Sequence, residues 1–163
     1  TGNNAGNNDG TCKTARETRA IAGWFESDRD TDTRLNKWGR EIYPKCAYNT
    51  LMLRKERYGN IPIYVTENGH GCYDVPDENG YVEDDDRIAF LNDYIGWILK
   101  AKEDGVNVKG YYCWSTMDLY SWINGYKKRY GLVRVDYEDG LLRRIPKKSY
   151  YWYRDFITEH KDV

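Results

Sequence analysis

Two short apolar segments, Ile61–Thr66 and Val106–Ser115, flank one long amphipathic stripe, and each runs out into a long polar loop. The first, Ile61-Pro-Ile-Tyr-Val-Thr66, is β-branched and apolar and closes on Glu67-Asn68-Gly69, which predicts a buried strand ending in a polar turn. The second is rich in Val, Tyr and Trp. Between them, Asp84-Asp85-Asp86 precedes Ile88, Leu91, Ile95 and Ile98, a spacing of i, i+3, i+7, i+10. Carboxylates in the first turn favour the helix dipole, and Gly105 supplies the stop. Apolar strands alternating with helices predict an α/β fold with parallel strands covered by helices.

The flanking segments extend this order. Pro44 suits a helix start, since its missing N–H would be unsatisfied there, and Tyr48, Leu51, Met52 and Lys55 follow at helical spacing until Tyr58-Gly59. Gly71, Pro76 and Gly80 mark a long loop over residues 70–83. After Ser115 come a Gly- and Lys-bearing loop, a hairpin around Glu138-Asp139-Gly140, and a last helix from about Tyr150 to Ile157 with Ser149 as its cap. Residues 1–37 carry Gly, Asn, Thr, Asp and Arg with little apolar periodicity, so they read as an irregular or loop-derived segment, and 38–163 as the folded part. Two confident strands close no barrel, and an open pair leaves bare edges, so the chain is expected to be incomplete as a fold.

Charge and cysteine usage narrow the function classes. Lys and Arg total 25 against 26 Asp and Glu, and this balance argues against nucleic-acid or membrane-surface binding, both of which need a basic excess. No run of about 18 apolar residues exists to span a bilayer. The opening TGNNAGNNDG has neither the charged nor the apolar region of a signal peptide. Cys12, Cys46, Cys72 and Cys113 form no CxxC pair, so free thiols in a reducing cytoplasm are expected rather than disulfides or a zinc site. The aromatic residues are mostly Tyr and Trp, whose apolar faces and polar edges suit either a core or a surface that handles sugars.

In α/β folds functional residues gather at strand C-termini and in the loops that follow, which here begin at Glu67 and Trp114. A carboxylate at the position of Glu67 can be a nucleophile, a general base, a metal ligand or a plain surface group beside a turn. Trp114 is either a core or rim aromatic or a flat platform under a sugar ring. Ser121, Lys128 and Tyr130 lie in the loop Ser121-Trp122-Ile123-Asn124-Gly125-Tyr126-Lys127-Lys128-Arg129-Tyr130-Gly131. A basic loop with hydroxyls suits an anion, and a solvated basic patch is the plainer alternative. His70 and His160 belong to no constellation and read as structural or solvated.

Taken as an ordered series, these residues resemble glycoside hydrolase family 1. The series opens with Trp38-Gly39 and Glu41-Ile42-Tyr43-Pro44, followed by Ile63-Tyr-Val-Thr-Glu67-Asn-Gly69 and Asp84-Asp85-Asp86-Arg87-Ile88. It continues through Asp104-Gly105-Val-Asn-Val-Lys-Gly110-Tyr, Trp114-Ser115, Asn124-Gly-Tyr-Lys-Lys-Arg-Tyr-Gly131-Leu and Val135-Asp136-Tyr, and ends in Pro146-Lys-Lys-Ser149 and Trp152-Tyr153. It covers about residues 38–157 and departs from the family at Arg40, where an aromatic is common, and at Lys45-Cys46-Ala47, where Gly-Leu is usual.

The resemblance implies the C-terminal part of a (β/α)₈ TIM barrel carrying its last two strands. It implies that Glu67 is the nucleophile of a retaining glycosidase, forming a covalent glycosyl-enzyme, and that Trp114 is the platform beneath the glycone. Family members acting on unphosphorylated sugars usually carry Glu at the position of Ser121, and a carboxylate there would repel a 6-phosphate. Ser121 with Lys128 and Tyr130 looks like the phosphate-binding set of the 6-phospho-β-glycosidases. Trp122 is similar to the galactosidase-like members, which favours an axial O4 over the gluco form. The family's acid/base lies in an Asn-Glu-Pro motif on an earlier strand, and that tripeptide does not occur here. The implied protein is therefore cytoplasmic, takes imported phosphorylated disaccharides, needs no cofactor or metal, and works here as a piece carrying nucleophile and phosphate loop. Two alternatives are a β-glucosidase acting on unphosphorylated sugars and a non-catalytic half barrel that pairs with another chain, whether the N-terminal part of the same barrel or a second copy.

Overall fold

The computed structural model describes residues 20–21, 25–26, 34–138 and 140–160. Most of residues 1–37, together with Cys12 and Asp139, lie outside the described residues. The chain divides into two units, Thr1–Tyr43 and Pro44–Val163. In the first, β1 (Ala20–Ile21) pairs antiparallel with β2 (Phe25–Glu26). A turn follows over residues 34–42, in which the Asn36 Oδ1 accepts the Trp38 and Arg40 N–H groups.

The second unit follows the predicted alternation. Helix α1 (Lys45–Tyr58) starts one residue after Pro44 and stops at Gly59, whose φ of 75° is open to glycine. Strand β3 (Ile63–Asn68) leads through a long loop to α2 (Asp85–Glu103), and α2 crosses to β4 (Val108–Cys113). β3 and β4 pair in parallel, as a crossover helix requires. A short antiparallel hairpin of β5 (Val133–Val135) and β6 (Arg144–Pro146) precedes α3 (Lys148–Glu159). This is the predicted hairpin, although its two strands are too short for a periodicity to announce them.

The core that fixes this unit lies between the helices and one face of the β3–β4 pair. Leu51, Ile98, Ala101 and Val106 are buried together, with Ala47, Met52, Ile63, Val65 and Val108 packed on them. Each large aliphatic group removed from water contributes about 1.5–3 kcal/mol. The opposite face is bare: Tyr64, Thr66 and Tyr112 are exposed. β3 is therefore not the fully buried strand that its composition suggested, because helices cover only one of its sides.

Two further details differ from expectation. Ser149 does not cap α3; the helix begins at Lys148, and the Ser149 side chain instead donates to Asp84. On α2 the buried face takes in Arg87, Phe90 and Tyr94 beside Leu91, Ile95 and Ile98, while Ile88 is only half-buried. The apolar stripe is thus replaced at its N-terminal end by a buried guanidinium.

Candidate active site

Glu67 owes its orientation to an irregularity in β3. Val65 faces Tyr111 and Asn68 faces Cys113, so three steps on β3 match two on β4. The extra residue is a β-bulge, which breaks the alternation of faces. Thr66 and Glu67 are consequently both exposed, although neighbouring residues of a regular strand point opposite ways. The bulge thereby swings the Glu67 carboxylate out at the strand's C-terminal end.

Beside it, Trp114 follows directly after β4. Its N–H donates to the Asn68 carbonyl over 2.9 Å, so it sits against the residue after Glu67. The Asn68 side chain is held in turn by the Tyr111 hydroxyl at 2.8 Å, and burial pushes the Tyr111 hydroxyl pKa up, keeping it a donor. Trp114 remains 39% exposed, enough to present a ring face. Its peptide bond to Ser115 is cis. A Cβ on Gly69 would overlap the Trp114 carbonyl, so only glycine lets the two strand ends approach this closely.

The loop after β4 folds back onto the same end. Cys72 and Arg129 exchange backbone hydrogen bonds of 2.8 and 3.0 Å, and the Ser115 N–H donates to the Tyr130 carbonyl. This stitch lays the Lys128 stem across Gly71, where any side chain would displace it. Lys128 is only 8% exposed, and its Nζ lies 5.3 Å from the centre of the Tyr130 ring. Lys128 and Tyr130 are thus brought together, close in the fold to Trp114 and to the residues after Glu67.

Ser121 and Trp122 are placed differently. Ser121 closes a tight turn with Gly125 through two backbone bonds of 2.9 and 2.7 Å, and its Oγ accepts the Asn124 N–H. Trp122 stands at the tip of that turn, 96% exposed. His70 is buried and stacked on Phe90 at 4.9 Å, the structural role its sequence context implied. Cys46, Cys72 and Cys113 are free thiols. Burial pushes Cys72 and Cys113 up to about 11 each, so neither is a ready nucleophile. Among the described residues no group of three or more His, Cys, Asp or Glu could hold a metal ion, and no helix is long and apolar enough to cross a membrane.

The feature that the sequence reading missed is a buried ionic cluster behind this site. Arg87 pairs closely with Asp84 and lies 3.4 Å from Asp74. Lys147 lies 2.5 Å from Asp74 and 2.9 Å from Asp118. The Ser149 backbone and hydroxyl both donate to Asp84, and Asp118 accepts the Gly131 N–H. Burial opposes the charge on Arg87, but Cys72, Asp74 and Asp84 around it hold its pKa above the ordinary value. The signal was present in Asp84-Asp85-Asp86-Arg87 and Pro146-Lys-Lys-Ser149, segments that carried the resemblance but were read only as helix-dipole carboxylates and a cap.

Known proteins resemble this chain over most of its length. The model of glycosyl hydrolase family 1 matches residues 3–162. The 6-phospho-β-galactosidase of Staphylococcus epidermidis is 43% identical over 145 residues, which cover 88% of this chain and 30% of that protein. The 6-phospho-β-galactosidase of Leptotrichia buccalis is 47% identical over 127 residues, covering 77% of this chain and 26% of that protein. Among solved structures, a family 1 β-glucosidase from Thermotoga maritima, in complex with isofagomine lactam, superposes with a TM-score of 0.76 at 41% identity, covering 82% of this chain and 30% of that one. The chain thus spans about 30% of the length of the relatives it matches.

Proposed function

Because the chain belongs to glycosyl hydrolase family 1, we propose that it forms the last two strand–helix units of a (β/α)₈ barrel and carries the nucleophile and phosphate loop of a retaining 6-phospho-β-glycosidase. The observation that carries this reading is the bulge that turns Glu67 outward beside Trp114 at the carboxyl end of a parallel pair. In the first step the Glu67 carboxylate attacks the anomeric carbon and forms a glycosyl ester, while the aglycone oxygen leaves with a proton from an acid/base carboxyl. In the second, that carboxylate takes a proton from water, whose oxygen displaces Glu67 and releases the sugar. A retaining pair stands about 5–5.5 Å apart, and the Asn-Glu-Pro tripeptide that carries the family's acid/base does not occur in this sequence, so an earlier strand supplies the partner. Trp114 offers its face to the glycone.

Lys128 and Tyr130 supply charge and a directional donor to a 6-phosphate, with Ser121 in place of a repelling carboxylate. The names of the Staphylococcus and Leptotrichia relatives support a phosphorylated galactoside as substrate, and Trp122 is read the same way. Cytoplasmic residence follows from such a substrate and fits the free thiols. The Thermotoga β-glucosidase keeps an unphosphorylated glycoside as the competing reading.

The test protein is a complete barrel, made by seating this chain in place of the matched segment of the Staphylococcus epidermidis relative. Its turnover of p-nitrophenyl β-galactoside 6-phosphate is compared with that of the glucoside 6-phosphate and of both unphosphorylated sugars. The 6-phosphogalactoside should give the highest kcat/KM, and Glu67→Ala should abolish turnover of every substrate. Turnover surviving near the parent level in Glu67→Ala removes the nucleophile assignment. An unphosphorylated sugar outrunning its 6-phosphate removes the phosphate loop. A chain that sediments alone as a stable folded monomer would count against its being part of a barrel.

A further inference from the structure

Arg87 sits on α2, outside the group of residues expected to touch substrate, yet its guanidinium spans both loops that build the site. Its Nε donates to the His70 carbonyl at 3.3 Å, three residues beyond Glu67. Its Nη2 donates to the Arg129 carbonyl at 2.9 Å, between Lys128 and Tyr130. Asp84 pairs with its Nη1 and Asp74 with its Nη2, and Arg87 is buried. Only a planar fork can meet two backbone acceptors and two carboxylates at once; an ammonium, a point charge on a flexible stem, cannot hold all four directions.

We propose that Arg87 is a positioning residue that sets the distance between the nucleophile strand and the anion-binding loop, and so determines how tightly the 6-phosphate is held. The inference rests on the phosphate reading given above. Its geometry is specific. The Arg129 carbonyl also accepts the Cys72 N–H of the stitch, the His70 carbonyl lies two residues before Cys72, and the Lys128 stem lies on Gly71 between them. Releasing either carbonyl would let residues 128–130 drift relative to Glu67, moving the ammonium away from the phosphate while the sugar ring stays against Trp114.

The experiment measures kcat and KM for p-nitrophenyl β-galactoside 6-phosphate and for the unphosphorylated galactoside in the complete barrel, comparing the parent, Arg87→Lys and Lys128→Ala. Mere loss of folded protein lowers kcat for both substrates equally and leaves their ratio intact. A positioning role instead raises KM for the 6-phosphate, so the ratio of kcat/KM values should fall about tenfold or more in Arg87→Lys. An unchanged ratio in Arg87→Lys, with a collapsed ratio in Lys128→Ala, overturns the positioning role and leaves the phosphate reading standing. An unchanged ratio in Lys128→Ala overturns the phosphate reading itself. Should Arg87→Lys fail to fold, Asp74→Asn is the milder variant, because the carboxylate it removes holds the same Nη2 that reaches the Arg129 carbonyl, so that bond is loosened. A fall in its ratio supports the proposal, and a parental ratio refutes it.

Discussion

Replacing Gly71 with alanine gives a graded test of how Lys128 is aimed. The φ of Gly71 lies outside the left-handed region, so alanine adds no backbone strain there. The cost is steric: a Cβ would overlap Lys128 Cε and stand 2.8 Å from Cγ and 3.0 Å from Cδ, where ordinary contact begins at 3.4 Å. The stem must swing away, and the ammonium at its end retreats with it. At an effective dielectric of about 20, a unit charge pair at about 4 Å is worth about 4 kcal/mol. A retreat of about 1 Å from a phosphate of charge about −2 therefore removes about 1.6 kcal/mol, or about 15-fold in affinity. Physiological salt trims this to about tenfold. In the complete barrel, Gly71→Ala should lower kcat/KM for the 6-phosphogalactoside by about tenfold while the unphosphorylated galactoside stays within about twofold. Equal losses on both substrates, or none on either, would refute the claim that Gly71 holds the phosphate ligand in place.

Two other outcomes follow from the buried groups. Lys147→Met leaves Asp74 and Asp118 without their shared cation, so the complete barrel should lose about 3–5 kcal/mol; an unfolding free energy from urea titration within about 1 kcal/mol of the parent would contradict it. With their pKa values raised by burial to about 11, Cys72 and Cys113 stay protonated in the native state while unfolded thiols ionise near about 8.5. Iodoacetamide labelling at about pH 8 should then be at least about 100-fold slower in native than in urea-unfolded protein. Stability should also fall as pH rises from about 8.5 towards 11, because the unfolded chain binds fewer protons there. Labelling at equal rates in both states would show these thiols to be open.

The fold was legible where one local cause decides one element. Pro44 and Gly59 bracket α1, Gly105 ends α2, and β-branched runs mark β3 and β4. Glu67 and Trp114 could be picked out as candidates because strand ends in α/β folds carry chemistry. What joins them could not. The bulge depends on register between β3 and β4, which no property of either strand states alone. The ionic cluster links residues as far apart as Asp74 and Lys147, so Asp84 and Ser149, which join in it, read singly as a helix-dipole carboxylate and a cap. Ser121 illustrates the reverse: its motif was visible, but the fold seats it in a separate turn from Lys128 and Tyr130.

Helix α2 is held by two kinds of force at its two ends. Its C-terminal half, through Ile98 and Ala101, rests on an apolar core with Leu51 and Val106. Its N-terminal half is anchored by Arg87 and Asp84 in the charged cluster. These respond differently to heat: the desolvation penalty of buried charges shrinks as temperature rises, while burial of apolar surface gains nothing further. On warming, the end of α2 behind the site should therefore keep its anchorage while the far end loosens first. Cooling weakens the same apolar end, there through the fading hydrophobic effect. A helix built this way gives the loops at Glu67 and Lys128 a footing that outlasts the rest of the unit at the upper limit of its working temperature.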